Sequence, residues 1–359
     1  MADVALITGF PRLLARGLAQ RTLNLDPDSR VLLLVEEADA EAAERFVAAL
    51  TGERGPRVEV LLGRLNAVDL GLSGAEVKRL LGEVTLIFHS AHAAEARNLR
   101  RENLRRLNAV LGLAREMSDL RRVAVFSTAF VSGDRSGTIY EEELDAGQRL
   151  RTPFEASMFA VERLARELMP RLPITVLRPS AMIGHSRTGD ASGLTEGPHY
   201  LMSLMVRLPS ELPFLLPGSG VVPFNIVPID YVVQAACALA QAPEAAGRTF
   251  HLTDPNPVSA RQAFELLSNH ANRAAPFVGR VVSRALKRAL RVTGLGRLSP
   301  DQMALLEDLT THVTYHCGGT LEILSHTDVA CPSFESYADA LITWLAEYER
   351  TTRRPAAAG

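Results

Sequence analysis

Short, continuous apolar runs alternate with helix-period segments through the first half of the chain. "VALIT" (4–8), "RVLLLVEE" (30–37), "RVEVLLG" (57–63), "VTLIFHSA" (84–91), "RRVAVFST" (121–128) and "ITVLRPS" (174–180) read as strands. They are apolar throughout rather than at every second position, as expected of strands covered by helices on both faces of a parallel sheet. Between them, "RLLARGLAQRTL" and the Ala/Glu-rich "DAEAAERFVAAL" repeat their apolar positions at helical spacing. Strands separated by helices imply right-handed crossovers. The pattern therefore predicts an α/β fold, a Rossmann-type doubly wound parallel sheet.

After residue 185 the texture changes. "SRTGDASGLTEGPHY" is a polar loop, followed by an apolar helix, "YLMSLMVRL", and a Pro/Gly-rich stretch, "LPFLLPGSGVVPFNIVP". Further helices are expected near 259–271, 277–292, 299–309 and 334–350, making a smaller, mostly helical lobe that faces substrate. The expected division is a Rossmann domain over 1–185 with 223–255 returning to it, a lobe over 186–222 and 256–350, and a disordered tail over 351–359.

Composition removes several function classes. Of 359 residues, 47% are hydrophobic and 22% charged, ordinary for a globular protein, and the formal charge of −2 gives no case for nucleic acid. No apolar run approaches the ~20 residues that span a bilayer, and "MADVALITGF" lacks the basic region of a signal peptide. Cys237, Cys317 and Cys331 are scattered without ligand spacing and read as small buried hydrophobes in a reducing compartment. A cytoplasmic location is the expectation. No HxxxH or HExxH spacing occurs, so no metal is expected.

The first turn, "ITGFPRLLARGL", stands where a Rossmann fold carries its phosphate-binding loop, which needs glycine so that backbone can approach a pyrophosphate. Gly9 is present and Ala15 is compatible with the third position. Arg12 replaces the second glycine. Its guanidinium can clamp a phosphate or fill the groove, and the reading favours excluded or weakened dinucleotide binding.

"GRLNAVDLGLS", "IFHSAH", "ENLRRLNAVLGLA", "VFSTAFVSGD", "TPFEASMFAVERL", "LRPSAMIGHSRTG", "EGPHYLMSLM" and "VPFNIVPIDYVVQA" then follow in order. Together they resemble the extended short-chain dehydrogenase/reductase family, in the branch of fatty acyl-CoA reductases and thioester reductase domains, over roughly 3–345. The resemblance implies an NAD(H)- or NADP(H)-dependent site. Thr128 takes the place of the hydroxyl that holds the substrate carbonyl, although a strand-end Thr can equally bond local backbone. Asn103 takes the place of an Asn that supports the catalytic Lys. "RPS" (178–180) and "VPIDYV" (228–233) are expected to be architectural.

The family's proton donor is a Tyr followed four residues later by a Lys, on one helix face. Here those positions are Phe154 and Met158, which keep the shape and delete the ionisable groups. Glu36 replaces an NADP-reading Arg and can hold an NAD ribose. Arg64 replaces an Asp that faces the adenine, and His92 replaces a small groove residue. These changes are expected to gather in one rebuilt groove. His92, with a pKa near neutrality, is a candidate replacement donor or base. His185 and His199 are candidates on substrate-facing loops. A basic amphipathic helix over 277–292 can pack on the core with a solvated basic face, or contact a membrane surface or an acyl-carrier protein.

Three functions remain open on sequence. The first is a divergent family member that binds an acyl-type or polyketide-like small molecule without hydride chemistry, performing isomerisation, cyclisation or elimination, or binding alone. The second is an NAD(P)H-dependent reductase in which Thr128, His92 or water replaces the Tyr. The third is a non-catalytic subunit that pairs with an active relative. The resemblance also implies a homodimer through the helices flanking the site.

Overall fold

The computed structural model describes residues 2–50, 57–93, 97–194, 197–207, 216–270, 275–278 and 299–352. Seven strands form the main sheet: β1 (Val4–Thr8), β2 (Arg30–Val35), β3 (Val58–Leu62), β4 (Leu86–His89), β5 (Arg122–Phe126), β7 (Ile174–Pro179) and β11 (Thr249–Leu252). Their order is β11-β7-β5-β4-β1-β2-β3, and every pairing is parallel. This is the Rossmann-type sheet the apolar runs predict. β4, β5 and β7 stop one or two residues short of their runs, and Ser90, Ser127, Thr128 and Ser180 just beyond them line the site.

Continuous apolar strands are needed because both faces are covered. Ala5, Ile7, Val31, Leu33, Phe88 and Phe126 face α1 (Leu13–Leu25) and α7 (Ile229–Gln241) in one apolar layer, which also reaches α2 (Ala40–Ala49). Their neighbours Leu6, Leu32, Leu34, Ile87, Val123 and Val125 face the other way, toward α3 (Gly74–Glu83), α4 (Leu99–Ala114) and α5 (Pro153–Leu168). A third apolar cluster holds the lobe, with α6 (Pro198–Arg207), α8 (Ala260–His270) and the helix Ala338–Thr352.

Three two-strand pairs complete the fold. β6 (Gly137–Ile139) pairs with β13 (Val313–Tyr315), β8 (Ala181–Ile183) with β10 (Ile226–Pro228), and β9 (Leu216–Pro217) with β12 (Phe277–Val278). Phe277–Val278 is thus a strand, not the start of a helix, and the remainder of the predicted basic helix lies outside the described residues.

A buried ion network ties lobe to sheet. Arg178 on β7 and Glu162 on α5 have side chains 1% and 0% exposed, and their N–O contact is 2.7 Å. Glu162 also accepts from Arg166 Nε and Ser127 Oγ, both at 2.8 Å. Arg178 donates to the Glu143 carbonyl at 2.6 Å and to His251 Nε2 at 3.2 Å. Glu141 accepts from the His251 amide at 3.0 Å and the Thr320 hydroxyl at 2.7 Å. With this many partners, both charges have their lone pairs and protons satisfied, the condition for burying an ion pair without net loss.

Candidate functional site

The C-terminal ends of parallel strands are where an α/β sheet opens a crevice. Here the crevice is a cavity of about 670 Å³, within the usual range for ligand sites. Its wall runs from the turn before α1, past the ends of β4, β5 and β7, to the lobe residues Leu194, Pro198 and His199. A second cavity of about 160 Å³ adjoins it, and the two share Phe130, Phe154, Ala181, Gly197 and Pro198.

At one end stands the N-terminus of α1. Gly9 has φ +101°, and a Cβ there would lie 2.6 Å from Ser90 Oγ, so only glycine lets the turn lie this close to the end of β4. Ala15 is fully buried in the α1 layer. Arg12 precedes the helix with φ −60° and ψ 149°, ordinary extended backbone, so its replacement of glycine strains nothing. Its side chain is exposed at the lip of the cavity, which stays open beside it. The first turn of α1 holds no acidic residue, and Arg12 and Arg16 both line the cavity. Two guanidinium groups beside the positive end of a helix suit an anion.

On the floor, Thr128 Oγ1 accepts from the Phe130 amide at 3.3 Å and lies 3.5 Å from the Pro179 carbonyl oxygen. The threonine caps a short turn, as its structural reading has it, and also faces the cavity. The ring N–H of His92 is not free to point at a ligand. Its Nε2 is 2.6 Å from the Phe126 carbonyl oxygen, which can only accept, so the ring N–H is committed there. Nδ1 is left as a lone pair with no partner among the described residues. Burial, with Arg12 adding repulsion, lowers the His92 pKa to about 4, so the ring is neutral at pH 7.

The helix that should carry the acid begins as its sequence dictates. Thr152 caps it by accepting from the Glu155 amide at 3.1 Å, and Pro153 opens its first turn. Phe154 then faces both cavities. Met158, one turn on, is fully buried in the apolar layer and does not line the cleft. Asn103 is fully buried too, bonding the Ala93 amide at 2.7 Å and Ser157 Oγ at 2.9 Å, a structural role that needs no Lys.

The structure therefore brings Arg12, His92, Thr128, Phe154 and His199 to one cavity. It does not bring Glu36, Arg64 or Met158 into that wall. Glu36 and Arg64 follow β2 and β3 on the same edge of the sheet, beyond the cavity. His185 is also outside, 3.9 Å from Asp230. The expectation of a single groove of altered residues is corrected accordingly. Sequence reasoning missed Ser180, set aside with its motif as architectural. Arg178 fits that description, but Ser180 lines the cleft. Among the described residues no group of His, Cys, Asp and Glu could hold a metal, and no helix is long and apolar enough to cross a membrane.

Residues 7–236 match the NAD_binding_4 family, described as male sterility protein. The chain belongs to this family. The extended reductase resemblance read from the motifs is borne out by that match. Among curated relatives, the aldehyde reductase lnaA of Aspergillus flavus is 26% identical over 277 residues, covering 71% of this chain and 25% of its own. The glycine betaine reductase ATRR of Emericella nidulans is 27% identical over 218 residues, 58% of this chain and 17% of its own. The chain spans a quarter or less of the length of these two relatives. Among solved structures, the terminal R domain of the myxalamid PKS-NRPS pathway has a TM-score of 0.79 at 25% identity, covering 97% of this chain and 91% of that one. The R domain of a nonribosomal peptide synthetase from Mycobacterium tuberculosis, at 19% identity, has a TM-score of 0.71 over 97% and 93% and shares the fold.

The buried histidines make an acid-stability prediction. His92 and His251, lowered to about 4 and about 3 chiefly by burial, bind fewer protons folded than unfolded. Their contribution is present above the ordinary histidine pKa and is lost as pH falls toward the folded values. The melting temperature should fall as pH drops from about 6.5 to about 4, and His92→Asn should flatten that slope. An unchanged slope would count against a neutral buried His92.

Proposed function

We propose that the chain is a nicotinamide-dependent reductase of an acyl thioester, holding dinucleotide and substrate in the cleft that starts at α1. The cleft itself carries this reading: one space of about 670 Å³ with two guanidinium groups at one end and strand-end hydroxyls along its floor. The residues present fit the cofactor. Gly9 leaves the close approach a pyrophosphate needs, and Arg12 and Arg16 would hold phosphates. When bound, the dinucleotide supplies the hydride. The reductase relatives and the R-domain likeness support an acyl-derived carbonyl as substrate.

Loss of the Tyr weighs differently on the competing chemistries. Hydride transfer needs reactants held in reach. Isomerisation or elimination needs a base poised near neutrality. Among the described residues that line the large cleft there is no carboxylate, Asp308 of the adjoining cavity is held by Arg151, and His92 is lowered to about 4. This reverses the order in which the sequence ranks the two readings.

Calorimetry with NADH and NADPH tests the proposal directly, followed by oxidation of the bound form with an acyl-N-acetylcysteamine thioester. Micromolar binding is expected. Arg12→Ala should weaken it about tenfold, the worth of one charge-assisted hydrogen bond. No binding by a chain folded by circular dichroism would return the cofactor-free reading to first place.

A further inference from the structure

One hydroxyl on the cleft floor is not used by the fold. Ser180 follows β7, is 3% exposed and lines the cleft, yet its Oγ has no hydrogen-bond partner among the described residues. Leaving a buried hydroxyl unpaired costs about 1–3 kcal/mol, so such a group calls for an explanation. Its neighbours are committed. Ser90 donates to the Thr8 carbonyl and Ser127 to Glu162, both at 2.8 Å. The Ser180 amide reaches the Leu252 carbonyl at 3.3 Å, which any side chain would allow.

Thr128 Oγ1 lies 3.5 Å from the carbonyl of Pro179, the residue before Ser180, so the two hydroxyl-bearing residues flank each other where β5 and β7 end. Ala181, the next residue, shares the wall between the two cavities with Phe154. Ser180 and Phe154 thus line the same cleft, with Ala181 between the serine and the smaller cavity.

Resting on the reductase reading above, we propose that Ser180 donates the hydrogen bond that holds the substrate's carbonyl oxygen, and that with Phe154 in place of an acid the reaction ends at the aldehyde. Hydride adds to the thioester carbonyl carbon, and the resulting oxyanion is held by the Ser180 hydroxyl. The carbonyl re-forms as the carbon–sulfur bond breaks. Sulfur leaves with the bonding pair as a thiolate and takes its proton from water. Two electrons enter, and an aldehyde and a thiol leave, without any protein group giving up a proton.

Reduction of the aldehyde differs, because its alkoxide has no leaving group to expel and, without an acid to protonate it as it forms, returns the hydride. A serine hydroxyl donates a hydrogen bond but is a poor acid, and the His92 N–H is bonded to Phe126. Among the described residues of the large cleft, oxyanion support is therefore present and a general acid is not.

The experiment uses the full chain, NADPH and an acyl-N-acetylcysteamine thioester, with aldehyde and alcohol separated by chromatography. Aldehyde should accumulate, with alcohol formed at least ~10²-fold more slowly. Ser180→Ala should lower kcat/KM by ~10²–10³-fold, and Ser180→Thr should restore most of it. A readout without turnover is calorimetric binding of the trifluoromethyl ketone analogue to dinucleotide-free protein. Ser180→Ala should weaken that binding at least about tenfold and leave NADPH affinity unchanged. Alcohol as the main product overturns the inference, as does a Ser180→Ala chain matching the parent in turnover and analogue affinity. A chain that neither binds NADPH nor consumes the thioester removes the reductase reading, and this inference with it.

Discussion

Phe154→Tyr should turn an aldehyde-releasing chain into one that also makes alcohol. Phe154 faces the cleft, so the new hydroxyl would project into the space where the substrate oxygen is held. A positioned general acid contributes ~10²–10⁴-fold. The tyrosine alone should give the lower end of that range in aldehyde reduction, because Met158 supplies no cation to bring the phenol's pKa down. Adding Met158→Lys is expected to raise the rate further while lowering the melting temperature. Met158 is fully buried among apolar side chains, and an ammonium there must leave that layer or lose its charge. Time courses of aldehyde and alcohol for the parent, the single and the double variant decide the matter. Equal alcohol formation in all three would mean that position 154 is not where proton supply fails.

Glu162→Gln should be the most destabilising conservative change in the described fold. The carboxylate has no exposed surface and holds Arg178 and Arg166 together with Ser127. Removing it leaves guanidinium charge in the interior without its counter-ion, a cost of about 3–5 kcal/mol. Urea unfolding should show a lower midpoint by that amount. Glu167→Gln, on the same helix, serves as control. Its contact with Arg163 is 3.9 Å with both side chains more than half exposed, and such pairs contribute about 0–1 kcal/mol. Equal midpoints for the two variants would refute the network's role. Because Ser127 precedes Thr128, Glu162→Gln should also loosen the cleft floor and raise KM.

The sheet was legible in the sequence because burial on both faces writes itself as uninterrupted apolar runs. Leu6 and Ile7 face opposite layers and are both fully buried. The family was legible because its motifs come in order. The site was legible where motifs put residues at strand and helix ends, as at Arg12, Thr128 and Phe154, and where backbone geometry constrains residue type, as at Gly9. Glu36 and Arg64 were grouped with Arg12 because strand ends converge on one edge, but the edge is longer than the cleft, and sequence does not show where a wall ends. His92 was read from its free-solution pKa. Its actual chemistry depends on a carbonyl 34 residues further along the chain, which pattern alone does not bring into contact. Ser180 was hidden by its own motif, since the neighbouring Arg178 is architectural and nothing in a tripeptide separates a paired side chain from an unpaired one.

Phe154 belongs to the wall common to both cavities. The ring that replaces the acid is thus also a partition, and its bulk limits how far a ligand's tail can extend from the large space toward the small one, where Arg151 and Asp308 meet at 2.5 Å. Trimming that ring would open a passage rather than restore an activity. The position thus couples two traits ordinarily inherited separately, the oxidation level of what is released and the length of chain admitted, so selection on one would carry the other with it.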